Sequence, residues 1–80
     1  MEKRIAVVAI IVSEVEAVTK VNELLSSVRD YVLGRLGIPY KEKDLNVISV
    51  VMDAPQEVIN ALSGKLGMIK GVSSKVLTTK

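Results

Sequence analysis

Residues 28–45 read VRDYVLGRLGIPYKEKDL, and how they are read decides the fold. They follow a segment of helical pattern and precede an apolar run, so they either prolong a helix or open a new strand. The preceding segment starts at Ser13, three residues before Glu16, the spacing of a capping box in which each side chain satisfies a free N–H of the first turn. Val18, Val21, Leu25 and Val28 then recur at helical spacing, with Ala17 and Leu24 widening the stripe and Lys20, Asn22, Glu23 and Ser27 opposite. Carried on to Leu36, that helix would be about 35 Å long, against about 20 Å for the second helix described next.

The second half of the chain repeats the pattern. Residues 45–52, LNVISVVM, form a mostly apolar strand, and Asp53 stands three before Gln56 with Pro55 in the first turn. Val58, Ile59, Leu62 and Leu66 give another apolar helical stripe, with Gly67 suited to a left-handed C-cap. Residues 72–79, VSSKVLTT, read as a last strand. Aligning Ser13 with Asp53 offsets the halves by 40 residues, so the last strand, starting near Gly71, has its counterpart near Tyr31. Tyr31, Val32 and Leu33 are good strand formers. The first helix therefore stops near Val28, and residues 38–44, IPYKEKD, become a hairpin.

The first strand, residues 4–12, RIAVVAIIV, is apolar in both alternating sets and expects cover on both sides. The order is then βαββαβ: an α+β, ferredoxin-like single domain over residues 1–80, with a four-stranded antiparallel sheet and two helices on one face. The doubly apolar strands suit the two central positions. Arg35 and Lys75 fall on the edges, where charge discourages uncontrolled pairing.

Composition narrows the function. Eighty residues are few for one self-sufficient core, and there is no Cys for a disulfide and no Cys or His for structural zinc. Self-association is the remaining way to bury more area. The hydrophobic fraction is 49% and the mean hydropathy +0.37, yet the longest apolar run, Ile5 to Val12, is too short to cross a bilayer as a helix. After MEKR and that run come Ser13, Glu14 and Glu16 rather than a small-residue cleavage site, which reads as a mature cytoplasmic protein. Eleven basic against nine acidic residues leave +2 without a basic run, so no direct nucleic-acid binding and no membrane association are expected.

Two helices cover only one face of such a sheet, and the other face, still aliphatic, reads as an interface between copies in a dimer or tetramer. Val8, Ile10, Ile48 and Val50 are the expected interface set. RNA-binding domains of this topology stack bases on aromatics of the central strands; here there is no Phe or Trp, and the two Tyr lie at 31 and 40. Gly34 and Gly37 sit at a strand end, not between helices, so a phosphate-clamping Gly-x-x-Gly loop is disfavoured. A bulge or close neighbour accounts for Gly34 and a tight turn before Pro39 for Gly37. Arg35 and Gly37 are expected to border an oligomer interface or its ligand pocket. Without Cys or His the usual nucleophile and base pairs are missing, and no metal, cofactor or catalytic residue is assigned. SGKLG at 63–67 lacks the upstream glycine spacing of a Walker A loop.

Through RIAVVAIIV, GRLGIPY, NVISVVMDAP, INALSGKLG and GVSSK the chain resembles the small ACT-like proteins described as iron-only hydrogenase system regulators. The resemblance implies an ACT-like fold, related to the effector domain of nickel-responsive repressors, and a regulatory role with a small-molecule effector or a protein partner. The nickel ligands of those repressors, His and Cys, are absent, so nickel sensing does not carry over. Effector sites of ACT domains lie where the first strand meets the first helix, which here implies Val12, Ser13 and Glu14. The competing expectation is a minimal enzyme of acylphosphatase shape. It would need an arginine in the loop after the first strand, where this chain has Ser13-Glu14-Val15-Glu16.

Overall fold

The computed structural model describes residues 2–79. The elements are β1 (Lys3–Val12), α1 (Val15–Ser27), β2 (Val32–Tyr40), β3 (Leu45–Pro55), α2 (Gln56–Gly67) and β4 (Val72–Thr78), with single 3-10 turns at Arg29–Tyr31 and Lys41–Lys43. One antiparallel sheet runs in the order β2-β3-β1-β4, so the two richly apolar strands are central and Arg35 and Lys75 lie on the edges, as the patterning requires. The α+β, ferredoxin-like order βαββαβ is the observed one.

The core lies between the helices and one sheet face. β1 contributes Ala6, Val8, Ile10 and Val12, and β3 contributes Ile48, Val50, Met52 and Ala54, one alternating set from each strand. The helices answer with Ala17, Val21 and Leu25, and with Ile59, Leu62 and Leu66, spaced three or four apart so that they share a face. Among the described residues no polar or charged side chain is buried. This packing corrects the interface expectation: Val8, Ile10, Ile48 and Val50 lie beneath the helices and are inaccessible to a second copy. Both alternating sets of β1 are aliphatic, so hydrophobicity alone did not choose between the faces.

Both helix starts also differ from the capping pattern. The N-cap position of α1 is Glu14, in extended backbone, with no side-chain cap bond. Ser13 instead turns to the C-terminal half: its N–H and its Oγ both donate to the Gly71 carbonyl, at 2.7 and 3.1 Å. β3 runs on through Asp53, which pairs with Ile5, to Pro55, which holds the N-cap position of α2 at φ −60. A bond across to Gly71 at one site and the strand ladder at the other replace a side-chain cap. At the other end Gly67 stays within α2, and Gly71, at φ +84, is the glycine in the left-handed region. Since the Ser13 N–H holds the Gly71 carbonyl even without the hydroxyl, Ser13→Ala is expected to cost only about 1 kcal/mol or less. Urea unfolding measures it.

The β2–β3 hairpin is tighter than residues 38–44. Ile38 and Tyr40 remain in the strand, paired with Val47 and Leu45, and Pro39 is tolerated because β2 is an edge. The chain reverses over Lys41–Asp44 and closes with Asp44 at φ +54, a conformation that Asp tolerates better than most residues. A bulge between Val32 and Gly34 leaves Leu33 unpaired. Gly37 is a strand residue opposite Ile48, not a turn.

Candidate functional site

The antiparallel register places the residues of the open face in rows. One row reads Ile38, Val47, Ile11, Ser73 across the four strands, the next Leu36, Ser49, Ala9, Lys75, and the next Gly34, Val51, Val7, Leu77. Ile5 and Asp53 continue the pattern at one end. Ile11 is 45% exposed, Leu36 60% and Leu77 74%. The result is a broad aliphatic surface with its charges at the periphery, Asp53 at one end and Lys75 on the outer strand. A contiguous patch of this kind is the usual mark of an interaction surface.

β2 is the barest element. Apart from Val32, every residue of it is exposed, on both faces, since β2 is an edge strand whose one ladder is with β3. A compact monomer of 8.7 kDa exposes about 4,700 Å². This chain exposes 5476 Å².

The five residues expected to bind a ligand do not converge within one chain. The Val12 side chain is buried in the core. Ser13 lines a cleft of about 320 Å³ between the start of α1 and the β2–β3 turn, with Val15, Pro39, Tyr40, Asp44 and Asn46 around it. Glu14 lines a separate cleft with Glu16, Lys20 and Lys70. Arg35 lies on the helix side of β2, where its Nη2 donates to Asn22 Oδ1 at 3.0 Å. Asn22 stands seven residues beyond Val15, roughly 10 Å along α1, so this guanidinium serves the middle of the helix and not the loop after β1. Gly37 sits on the same side of β2, opposite Ile48.

Of the open-face set that sequence reasoning missed, Ile5, Val7, Ile11 and Val47 are exposed and Val51 is half-buried. A signal for it existed on β3: Ser49 and Asp53 fall in the same alternating set as Val47 and Val51, whereas the opposite set, Ile48 to Ala54, contains nothing polar. Gly71 was legible only as a strand start. A Cβ there would come within 2.7 Å of Glu14 Cγ and 2.9 Å of Glu14 Cβ, so this position brings the loop after β1 against the start of β4.

Fold and surface together define a small ferredoxin-like α+β domain whose conspicuous feature is a bare sheet face rather than a cluster of reactive side chains. Among the described residues no helix is long and apolar enough to cross a membrane. The sequence profile of the TM1266-like family, described as "Iron-only hydrogenase system regulator, putative", matches residues 4–76, and the chain belongs to that family. The structure of the uncharacterized protein TM1266 from Thermotoga maritima is similar over 99% of this chain and 100% of that one, at 39% identity and a TM-score of 0.94. A formyltetrahydrofolate deformylase from Pseudomonas putida KT2440 shares the fold alone, at 13% identity and a TM-score of 0.66, over 90% of this chain and 28% of that one. No curated protein matches.

Proposed function

We propose that this chain is a cytoplasmic, non-enzymatic regulatory module of the iron-only hydrogenase system that assembles as a dimer or tetramer and senses a small effector or binds a protein partner. The observation that carries the reading is the open aliphatic face centred on Val7, Ile11, Val47 and Val51, which no helix of the chain covers. The family description supports the regulatory role. The net charge of +2, without a basic cluster, supports an indirect effect on gene expression or enzyme maturation rather than contact with nucleic acid.

Light scattering on the purified protein tests the assembly: the mass is expected to be a multiple of 8.7 kDa at micromolar concentration. Val7→Asp, which places a charge in the middle of the face without entering the core, is expected to lower that mass. A monomeric wild-type protein would remove the reading. A thermal-shift screen against amino acids, nucleotides and metals then separates the two modes of action. Stabilisation by one class identifies an effector sensor, and none points to a protein-binding adaptor.

A further inference from the structure

We infer that the cleft between α1 and the helix side of β2 binds the phosphate or carboxylate end of a small organic anion, gripped by Arg29 and Arg35 over an apolar floor. This names a class of effector and a place for it, and so rests on the effector-sensing mode of the regulatory reading above.

Spacing sets one wall of the cleft. Asn22, Leu25, Ser26 and Arg29 follow the i, i+3, i+4, i+7 pattern that lines side chains up along one flank of a helix. Arg29 carries that row into the 3-10 turn beyond α1. The facing wall is β2, through Val32 and Arg35. Residues three apart on a regular strand point to opposite faces. Here the bulge at Leu33 adds one residue, so Val32 pairs with Met52 and Arg35 with Val50, both members of the buried set. The guanidinium is thereby turned to the helix side instead of the open face. Bulges are over-represented at sheet edges and beside functional sites, where they re-aim a side chain in this way.

The two walls bound a cleft of about 310 Å³. Its floor is apolar, from Leu25, Val32 and Val50, while the polar residues around it are exposed. Pockets for organic ligands begin at about 300 Å³, so there is room for a carbon skeleton on that floor as well as for an anionic group.

Charge selects the group. Three of the eleven basic residues are arginines, and two of those three line this cleft, with no lysine and no carboxylate among the described residues around it. Neighbouring clefts along the helices differ: Lys20 and Lys70 share one with Glu14 and Glu16, and Lys20 and Lys65 share another with Glu23. Guanidinium is the side chain whose fixed fork of donors matches a carboxylate or phosphate two oxygens at a time. The bond from Arg35 Nη2 to Asn22 Oδ1, at 3.0 Å, uses one of its five N–H donors and helps fix where the others point. The helix dipole alone accounts for Arg29 beyond the C-terminal end of α1, and edge protection alone accounts for a charge on β2. Neither accounts for two guanidinium groups lining one apolar-floored cleft that contains no acid.

Isothermal titration calorimetry at constant ionic strength, set with potassium chloride, tests the site with inorganic phosphate, phenyl phosphate and benzoate. One site per chain is expected, with a ring-bearing probe binding roughly ten-fold tighter than inorganic phosphate because the ring covers the floor. A preference for phenyl phosphate assigns the anionic group as a phosphate, and a preference for benzoate as a carboxylate. Arg29→Gln and Arg35→Gln are each expected to weaken the preferred probe roughly ten-fold or more. Arg35→Lys, which keeps the charge and loses the fork, is expected to weaken it about three-fold or more. Lys20→Gln and Lys65→Gln remove the same charge from the neighbouring clefts and are expected to change affinity by less than about two-fold. All four of these side chains are exposed, and circular dichroism checks that each variant stays folded. No binding of any probe, or losses with the arginine variants no larger than with the lysine variants, overturns the site. Inorganic phosphate binding as tightly as both ring-bearing probes overturns the role of the floor.

The cleft and the regulatory reading fail separately. An assembled mass, with thermal stabilisation by a metal or an amino acid that survives both Arg29→Gln and Arg35→Gln, leaves a sensor and removes this cleft. Arginine-dependent binding by a chain of monomeric mass keeps the cleft and removes the assembled regulator.

Discussion

Ile10→Ala is expected to lower the unfolding free energy by about 2–5 kcal/mol, while Ile11→Ala, one residue along the same strand, costs under about 1 kcal/mol and acts on assembly instead. Ile10 is fully buried between Ile48 of β3 and the helices, so truncation leaves a cavity that rigid neighbours fill only in part. Ile11 points to the open face and is 45% exposed, so the same truncation removes surface already in water. For a domain of this size each kcal/mol moves the melting temperature by about 4–8 °C. Thermal denaturation followed by circular dichroism should therefore separate the two variants by about 4 °C or more, and light scattering should show the mass change with Ile11→Ala only. Equal losses of stability would mean that the sheet is covered on its other side.

Gly71→Ala carries the second large effect. At φ +84 an alanine is strained by about 1–2 kcal/mol, and its Cβ would sit 2.9 Å from the Cβ of Glu14, an atom that cannot rotate away. Backbone strain and collision act together, and any shift of Gly71 also disturbs the carbonyl that receives both the N–H and the hydroxyl of Ser13. Glu14→Gly in the same chain removes the collision and leaves the backbone strain. Urea unfolding of the double variant is expected to recover part of the loss but not all of it. Additive losses from the two single changes would show that Glu14 and Gly71 do not touch.

The fold was legible because two independent signals agreed. The repeated strand-then-helix pattern, offset by 40 residues, located β2 where a simple extension of α1 would have erased it, and residue polarity put β1 and β3 in the centre. Element ends were less legible. Ser13-x-x-Glu16 and Asp53-x-x-Gln56 have the spacing of helix starts, but Asp53 stays in the ladder and Ser13 bonds across to Gly71, partners 40 or more residues distant that no local motif encodes. The choice of the open face was misread for a related reason. On β1 both faces are aliphatic, and only the polar residues of the neighbouring strand, Ser49 and Asp53, mark which set meets water. The residues expected to bind a ligand, Val12, Ser13, Glu14, Arg35 and Gly37, lie on different clefts or faces of one chain: Val12 is buried, Ser13 and Glu14 line separate clefts, and Arg35 reaches toward the middle of α1.

That strand order has a kinetic consequence. β1, the first strand to be made, pairs only with β3 and β4, so Ile10 waits for Ile48 on one side and Ser74 on the other. Only β2 and β3 can zip locally, and the remaining ladders demand closure of long loops, which makes folding slower than that of a helical bundle. During synthesis at about 5–20 residues per second, the run from Ile5 to Val12 stays without its second neighbour for roughly 3–13 s until β4 is complete. The run that spends longest without its second neighbour is thus a continuous aliphatic one, and α1, which follows it directly in the chain, is the first element able to cover it.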